Sequence, residues 1–326
     1  MKRSALLEFA LLGALGGLPA EAQQPGRTFR VGILTGYTLA YERPFLLIFR
    51  RTLSGLGYQE GKNLEILYQY ANGDPKRLPD LAAGLVRQRP SVIVAATPPA
   101  IAAVKRATTS VPIVMTDDSD PVGARFVASL ARPGGNITGI ADMDLELNGK
   151  RLQLLKELVP RLQRVAVIRN PDNPANLAAW RLVESEAHKG GIEVFVVDVR
   201  SSEQINAAFT TIPHLRVGAV LLFSDPVLSS NLARIVRFVA AQRLPAVYGV
   251  GTFTTAGGLM TYGTSETANW SQAATYVDRI LKGAKPADLP IERPTTFELD
   301  VNLKAAREIG ITIPQSILLQ ANDVIR

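Results

Sequence analysis

The feature that most constrains this chain is a regular alternation of two patterns. From residue 28 onward, short apolar runs recur at 29–34, 64–70, 92–96, 112–116, 137–141, 165–168, 194–199, 219–223 and 246–249. Several are apolar at every position, as in Val92-Ile93-Val94-Ala95-Ala96 and Ala219-Val220-Leu221-Leu222-Phe223. Uninterrupted apolar runs of this length mark strands buried on both faces of a parallel sheet. The segments between them carry the helical period. Leu78, Leu81 and Leu85 fall on one stripe, and Leu228, Leu232, Ile235, Val236 and Val239 form a longer one. Strand and helix in strict alternation specify an α/β fold with helices on both sheet faces.

The runs are too many for one tidy sheet, and the middle of the chain is broken. Arg132-Pro133-Gly134-Gly135-Asn136 is a strong turn signal, followed by a strand-like run and a fresh helix from about Asp144. A first lobe ending near Ala141 is the natural division. The pattern changes again after Tyr248. Gly257-Gly258-Leu259-Met260-Thr261-Tyr262-Gly263 reads as an extended segment, and a helix with Ala273, Ala274, Val277, Ile280 and Leu281 on one face follows. Residues 285–294 are too rich in proline for regular structure, and a last strand at 297–301 precedes two short helices.

Composition excludes several functions. Hydrophobic residues make up 47% against 20% charged, which is a globular balance. The net charge of +7 is scattered, with no run of five like charges, so a nucleic-acid partner is not expected. Cysteine is absent, removing disulfides, thiolate metal sites and Cys nucleophiles together. The only histidines, His188 and His214, leave little material for zinc or His-based acyl transfer. His188 reads as a cation at a helix C-terminus beside a glycine cap, and His214 as a surface loop residue after Pro213.

The N-terminus reads as an export address: Lys2 and Arg3, an apolar stretch at 9–18, then Ala20-Glu21-Ala22 as a small-x-small cleavage pattern before Gln23. Residues 1–22 are expected to be a cleaved signal peptide. The mature chain is expected in the periplasm without a lipid anchor, since no Cys follows the cleavage pattern.

Enzyme signatures are missing. There is no phosphate loop, no G-x-S-x-G elbow and no H-E-x-x-H pair. Polar and turn residues instead concentrate after the strand-like runs, where open α/β sheets bind ligands. They are Thr35-Gly36-Tyr37, Thr97-Pro98-Pro99, Asp117-Asp118-Ser119-Asp120-Pro121, the run from Arg169 and Asn170 to Pro174, and Ser224-Asp225-Pro226. Each residue has an ordinary explanation as a cap or turn. Their coincidence on strand ends of both lobes favours a ligand cleft between lobes. The acidic cluster lacks calcium-loop spacing and the closing Glu, so no metal is expected.

Several ordered segments resemble the ABC-transporter substrate-binding protein family of the tryptophan/tyrosine type. They are Leu56-Gly57-Tyr58-Gln59-Glu60-Gly61-Lys62-Asn63-Leu64, Ser119-Asp120-Pro121-Val122-Gly123, Ser129-Leu130-Ala131-Arg132-Pro133-Gly134-Gly135-Asn136-Ile137-Thr138-Gly139 and Ala256-Gly257-Gly258-Leu259-Met260-Thr261-Tyr262-Gly263. The order continues through Ile280-Leu281-Lys282-Gly283-Ala284-Lys285-Pro286-Ala287-Asp288-Leu289-Pro290 and from Phe297-Glu298-Leu299 to Asn302. The resemblance spans about 28–326. It implies a two-lobed type I periplasmic-binding-protein fold, each lobe a mainly parallel sheet with helices on both faces, joined by three hinge crossovers. With the breaks above, this places the N-terminal lobe at 28–141 plus about 263–293 and the C-terminal lobe at 142–262 plus about 294–326. The chain departs from the family pattern at Pro98, where Thr or Ser is frequent, and in the acidity of Asp117-Asp118.

The expectation is an exported solute-binding protein, not an enzyme, without cofactor or metal and monomeric. It captures an amino-acid-like molecule or small organic anion and delivers it to a membrane ABC permease and its ATPase. The residues expected at the ligand are Thr35, Tyr37, Thr97, Pro98, Asp117, Asp118, Ser119, Asn170, Asp225 and Tyr248. Thr97 and nearby amides would hold a carboxylate, Asp225 or Asp118 an ammonium, and Tyr37 or Tyr248 would pack on the ligand body. The alternatives are a ligand sensor for a membrane receptor, an exported hydrolase or lyase using Asp117–Asp120, and an effector-responsive repressor. The last would need an N-terminal helix-turn-helix where this chain has an export signal.

Overall fold

A computed structural model describes residues 28–326; the export reading of residues 1–22 lies outside the described residues. The apolar runs form two separate sheets. The first contains β1 (Phe29–Thr35), β2 (Leu64–Tyr70), β3 (Val92–Ala96), β4 (Ile113–Met115) and β5 (Ile137–Gly139), all parallel, in the order β2-β1-β3-β4-β5. The second contains β6 (Arg164–Arg169), β7 (Glu193–Asp198), β8 (Ala219–Leu222), β9 (Ala246–Tyr248), β10 (Met260–Thr264), β11 (Phe297–Asn302) and β12 (Asp323–Ile325). Its order is β12-β11-β10-β9-β8-β6-β7, and only β10 and β11 pair antiparallel.

Strand alternation explains why both faces of each sheet are apolar. In the first lobe Val92, Val94 and Ala96 join one core, which holds Phe49 and Trp270, while Ile93 and Ala95 join another against Leu85 and Ile101. In the second lobe Val165 and Val167 pack with Leu155 and Val183, and Ala166 and Ile168 with Ile212 and Val239. Helices therefore cover both faces of both sheets.

The chain passes between the sheets three times. After β5 it enters the helix Asp144–Leu158, whose Leu152, Leu155 and Leu158 pack in the second lobe. After β10 the helix Glu266–Leu281 returns to the first lobe, carrying Trp270, Ala273, Ala274 and Val277 into its core. The Pro-rich stretch then runs beside β5, with the Glu292 amide donating to the Gly139 carbonyl at 3.1 Å, before β11 rejoins the second sheet. The buried Arg151 ties two of these passages together. Its guanidinium donates to the Tyr262 carbonyl at 2.7 Å, to Asn148 at 2.9 Å and to Asp144 at 2.5 Å.

Two local expectations need correction, and one strand was not expected. His214 is exposed, but it lies in the last turn of the helix Ile205–Leu215 rather than in a loop. Pro213 cannot donate the hydrogen bond back to Phe209, and Ile205, Ala208 and Ile212 are the buried residues of this helix. The long stripe from Leu228 to Val239 is two helices, Pro226–Ser230 and Leu232–Ala241, broken at Asn231. The edge strand β12 is three residues of mixed polarity and carries no sequence signal of its own.

Candidate functional site

Both sheets contain the same topological reversal. In the first, β1 lies between β2 and β3; in the second, β6 lies between β7 and β8. At such a point the connections diverge to opposite faces and leave a crevice beyond the carboxyl ends of the two strands. Thr35 and Thr97 stand at the first crevice, Asn170 and Ser224 at the second. The two crevices meet. A small cavity of about 30 Å³, room for a water or two, is lined by Tyr37, Thr97, Asp117 and Ser119 from one side and by Asn173, Asn176, Ser224 and Pro226 from the other. Asp142 and Asp144, on the first passage between lobes, line it too. A wider chamber of about 620 Å³ opens beside it, sharing Pro98, Ser119, Leu145 and Ala175 and adding the apolar Leu78, Pro99, Ala102 and Phe126 and the cation Arg106.

Thr97 is the most constrained residue of the site. Its φ of 93° and ψ of 140° lie in a region nearly reserved for glycine, and a β-branched residue held there stores roughly 1–3 kcal/mol of strain. It does not use its side chain as a helix cap. The hydroxyl is fully buried and has no hydrogen-bond partner, although the residue lines the cavity. Strain and an unmet polar group together point to a ligand contact. Gly36 packs against it: a Cβ at Gly36 would stand 3.0 Å from the Thr97 hydroxyl oxygen and 2.8 Å from Pro226 of the opposite lobe.

The charge at the site is negative. Asp144 is matched by the buried Arg151. Among the described residues no ion pair reaches Asp117 or Asp142; the Ser119 hydroxyl donates to Asp142, and the Tyr37 hydroxyl donates to Asp117 at 3.2 Å. Burial raises the Asp117 carboxyl well above the usual carboxylate range, and its hydrogen bond to Asp142 raises it further. Burial first, and Asp117 second, keep the Tyr37 phenol neutral and available as a donor.

Beneath the site Glu42 is buried and pushed up to about 7 by desolvation, against the opposing effect of the Thr35 hydroxyl that donates to it at 2.6 Å. A carboxyl raised from 4.5 to about 7 favours folding in its protonated form. Its stabilising contribution is complete below about 4.5 and is lost as pH rises through about 7, a change of about 3 kcal/mol. The melting temperature of the solute-free protein is therefore expected to fall as pH rises from about 4.5 to about 7. Glu42→Gln, which keeps an acceptor for Thr35, is expected to flatten that slope; a slope unchanged in the variant would assign the titration elsewhere.

The residues singled out in the sequence fall into three groups. Tyr37, Thr97, Pro98, Asp117 and Ser119 meet at the inner cavity. Asp118 lines the wider chamber and accepts the Asp120 amide at 2.9 Å; burial first, and Asp142 next, push it up to about 7. Asn170 and Asp225 border a separate recess of about 30 Å³. Asp225 there accepts from the Val227 amide at 2.8 Å, from Asn173 at 3.0 Å and from Asn170 at 3.2 Å. Both of its oxygens are engaged within the second lobe, so it caps the helix Pro226–Ser230. Asp225→Ala should lower stability by about 2–4 kcal/mol, through the lost cap and two stranded asparagine amides, measured by urea denaturation. A loss under about 0.5 kcal/mol would contradict this.

Thr35 and Tyr248 lie deeper. Thr35 is buried, joining Glu42 to the Tyr37 amide. Tyr248 is stacked on Phe253 in the second lobe's core, because the alternation along β9 turns its ring onto the sheet face. The sequence reading missed Asp142 and Asp144. Their signal was the acidic run Asp142-Met143-Asp144 directly after the break at Ala141.

Two α/β lobes whose crevices face one another across a cavity, with three chain passages between them, define a solute-binding protein of the type I periplasmic fold. The sequence profile of the ABC transporter substrate binding protein family matches residues 49–325, and the chain belongs to that family. Its members bind substrates rather than transform them, and this chain is not an enzyme. A tyrosine-binding protein of Clostridioides difficile (strain R20291) is 26% identical over 254 residues, covering 78% of this chain and 73% of that protein. A conserved domain protein of Vibrio cholerae superposes with a TM-score of 0.86 at 27% identity, over 91% of this chain and all of that one. A Streptococcus pneumoniae ABC domain solved with L-Trp gives a TM-score of 0.84 at 25% identity, with the same coverage.

Proposed function

We propose that the protein captures a small amine-bearing solute of the amino-acid type between its lobes and delivers it to an ABC permease and its ATPase. The observation that carries this is Thr97, strained and with an unmet buried hydroxyl, in a cavity that both lobes line. Asp117 and Asp142 take the ammonium, the Thr97 hydroxyl bonds a second polar group, and Tyr37 and Pro98 border the ligand. The carboxylates argue against an organic anion as the solute. The relatives described as binding tyrosine and L-Trp agree with an aromatic amine-bearing body. The protein acts as a monomer in the periplasm after removal of residues 1–22. Ligand contacts from both lobes favour the closed state that the permease recognises.

A thermal-shift screen of the purified protein against amine-bearing and acidic solutes tests this. A ligand of the folded state at 100 times its Kd adds about 2.7 kcal/mol of stability. Stabilisation by amine-bearing solutes is the expected result; stabilisation by acids alone, or by none, would refute it.

The lobes are proposed to rotate as two bodies, 28–141 with about 263–293 and 142–262 with about 294–326. Closure brings Gly36 against Pro226, so Gly36→Ala should leave each lobe folded yet weaken solute binding by about tenfold or more. Solution scattering should show the wild-type radius of gyration falling on solute addition and the variant's falling less. Equal contraction in both would remove Gly36 from the closing contact.

A further inference from the structure

The two spaces between the lobes differ sharply in size. The inner cavity, at about 30 Å³, has room for an ammonium or a water but not for the body of a solute. The chamber beside it, at about 620 Å³, is of the size that holds whole organic ligands. With the amine at Asp117 and Asp142, the rest of the solute lies in the chamber.

The chamber runs along one face of the helix Pro98–Ala107. Pro98, Ala102 and Arg106 are spaced by four residues, share that face and all line the chamber. At about 1.5 Å of rise per residue, the stripe extends about 12 Å from Pro98, at the inner cavity, to Arg106. Helical side chains lean toward the N-terminus of their helix, which brings the guanidinium nearer to the inner end than its own Cα. Arg106 is the only Lys, Arg or His among the described residues lining either space, and no ion pair or side-chain hydrogen bond engages it. The acids of the chamber each have a donor within the protein. Asp172 pairs with Arg200 at 3.4 Å, Asp120 accepts the Gly123 amide at 2.8 Å, and Asp118 accepts the Asp120 amide at 2.9 Å. Leu78, Phe126, Leu145 and Ala178 wall the space between the two ends with apolar surface.

A solute lying along this stripe meets carboxylates at its inner end and an unpaired cation at its outer end. An extended chain gains at most about 3.3–3.6 Å per residue. A single amino acid with its ammonium at the inner end therefore leaves Arg106 unreached and keeps its carboxylate near Thr97. Two or three residues span about 7–11 Å, which carries a C-terminal carboxylate to the guanidinium.

We propose that the cleft takes di- and tripeptides as well as single amino acids. The N-terminal ammonium sits at Asp117 and Asp142 and the C-terminal carboxylate at Arg106. This rests on the reading of the inter-lobe space as the solute site.

Calorimetric titration at pH 7 tests it with L-tryptophan, L-tyrosine and L-leucine. Each is compared with the dipeptide and tripeptide that extend it by one and two glycines, as free acids and as C-terminal amides. The expected result is that, for any amino acid that binds, at least one of its peptides binds too. That peptide should bind at least about tenfold more tightly as the free acid than as the amide. In Arg106→Gln the acid-to-amide ratio should fall to within about twofold, the unliganded melting temperature reporting that the variant folds. An amino acid that binds while none of its peptides does, or an acid-to-amide ratio equal in both proteins, would overturn the peptide proposal and leave the solute site standing. Binding by no amino acid and no peptide would overturn both.

Discussion

Asp117→Asn is expected to lower affinity for an amine-bearing solute by at least about 100-fold while leaving the protein folded. The ammonium is desolvated between the lobes, and removing its counter-charge leaves a buried cation facing an amide. Truncation of one member of such a pair costs about 2–5 kcal/mol. Stability should move the other way. The Asp117 carboxyl is raised by burial and by Asp142, so its ionised form opposes folding above the usual carboxylate range, and an uncharged isostere escapes that cost. At pH 8 the unliganded variant should therefore melt no lower than the wild type. Titration calorimetry and thermal melting separate the two effects. Unchanged affinity would remove Asp117 from the site, and a large fall in melting temperature would make its role structural.

Gly139→Ala is expected to cost more than about 4 kcal/mol, a large part of the total stability of an ordinary domain. Gly139 ends β5 at the first passage between lobes, opposite Met115 of β4, with φ at 130°. A Cβ there would run into the Met115 carbonyl oxygen, with the Met115 nitrogen at 2.7 Å. Both obstacles are backbone held by the sheet, so no side-chain rotation relieves them. The positive φ adds strain of its own. Urea denaturation of soluble protein is the measurement, and Gly55→Ala is the control, since a Cβ there meets nothing within 4 Å. Equal midpoints for the two variants would contradict the account of β5.

The α/β alternation was legible because the inner strands are buried on two faces and so appear as largely unbroken apolar runs. That property gave β1, β3, β4, β6 and β8 within a residue or two at most ends. It could not give β12, an edge strand held by pairing with β11 rather than by its own apolar surface. The acidic strand end at Asp117 was visible from its position after β4. Which carboxylates line the inner cavity was not. Asp225 carries the same local signature as Asp117, yet two asparagines from a different turn satisfy it, and that long-range pairing leaves no mark in sequence. Thr97 was visible as a strand-end residue before two prolines, but its positive φ and unmet hydroxyl are features of the folded chain that leave no mark in the sequence. Tyr248 shows the converse: a strand-terminal aromatic whose side chain belongs to the core because of strand parity.

The most direct test of the central claim is a crystal structure of the protein with the tightest-binding amine from the solute screen. The amino group is expected within about 3 Å of an Asp117 or Asp142 oxygen, with a ligand atom or bridging water on the Thr97 hydroxyl and the lobes closed around it. Ligand density reaching neither the cavity between Tyr37 and Pro226 nor the wider chamber, or an amine turned away from both carboxylates, would contradict the account.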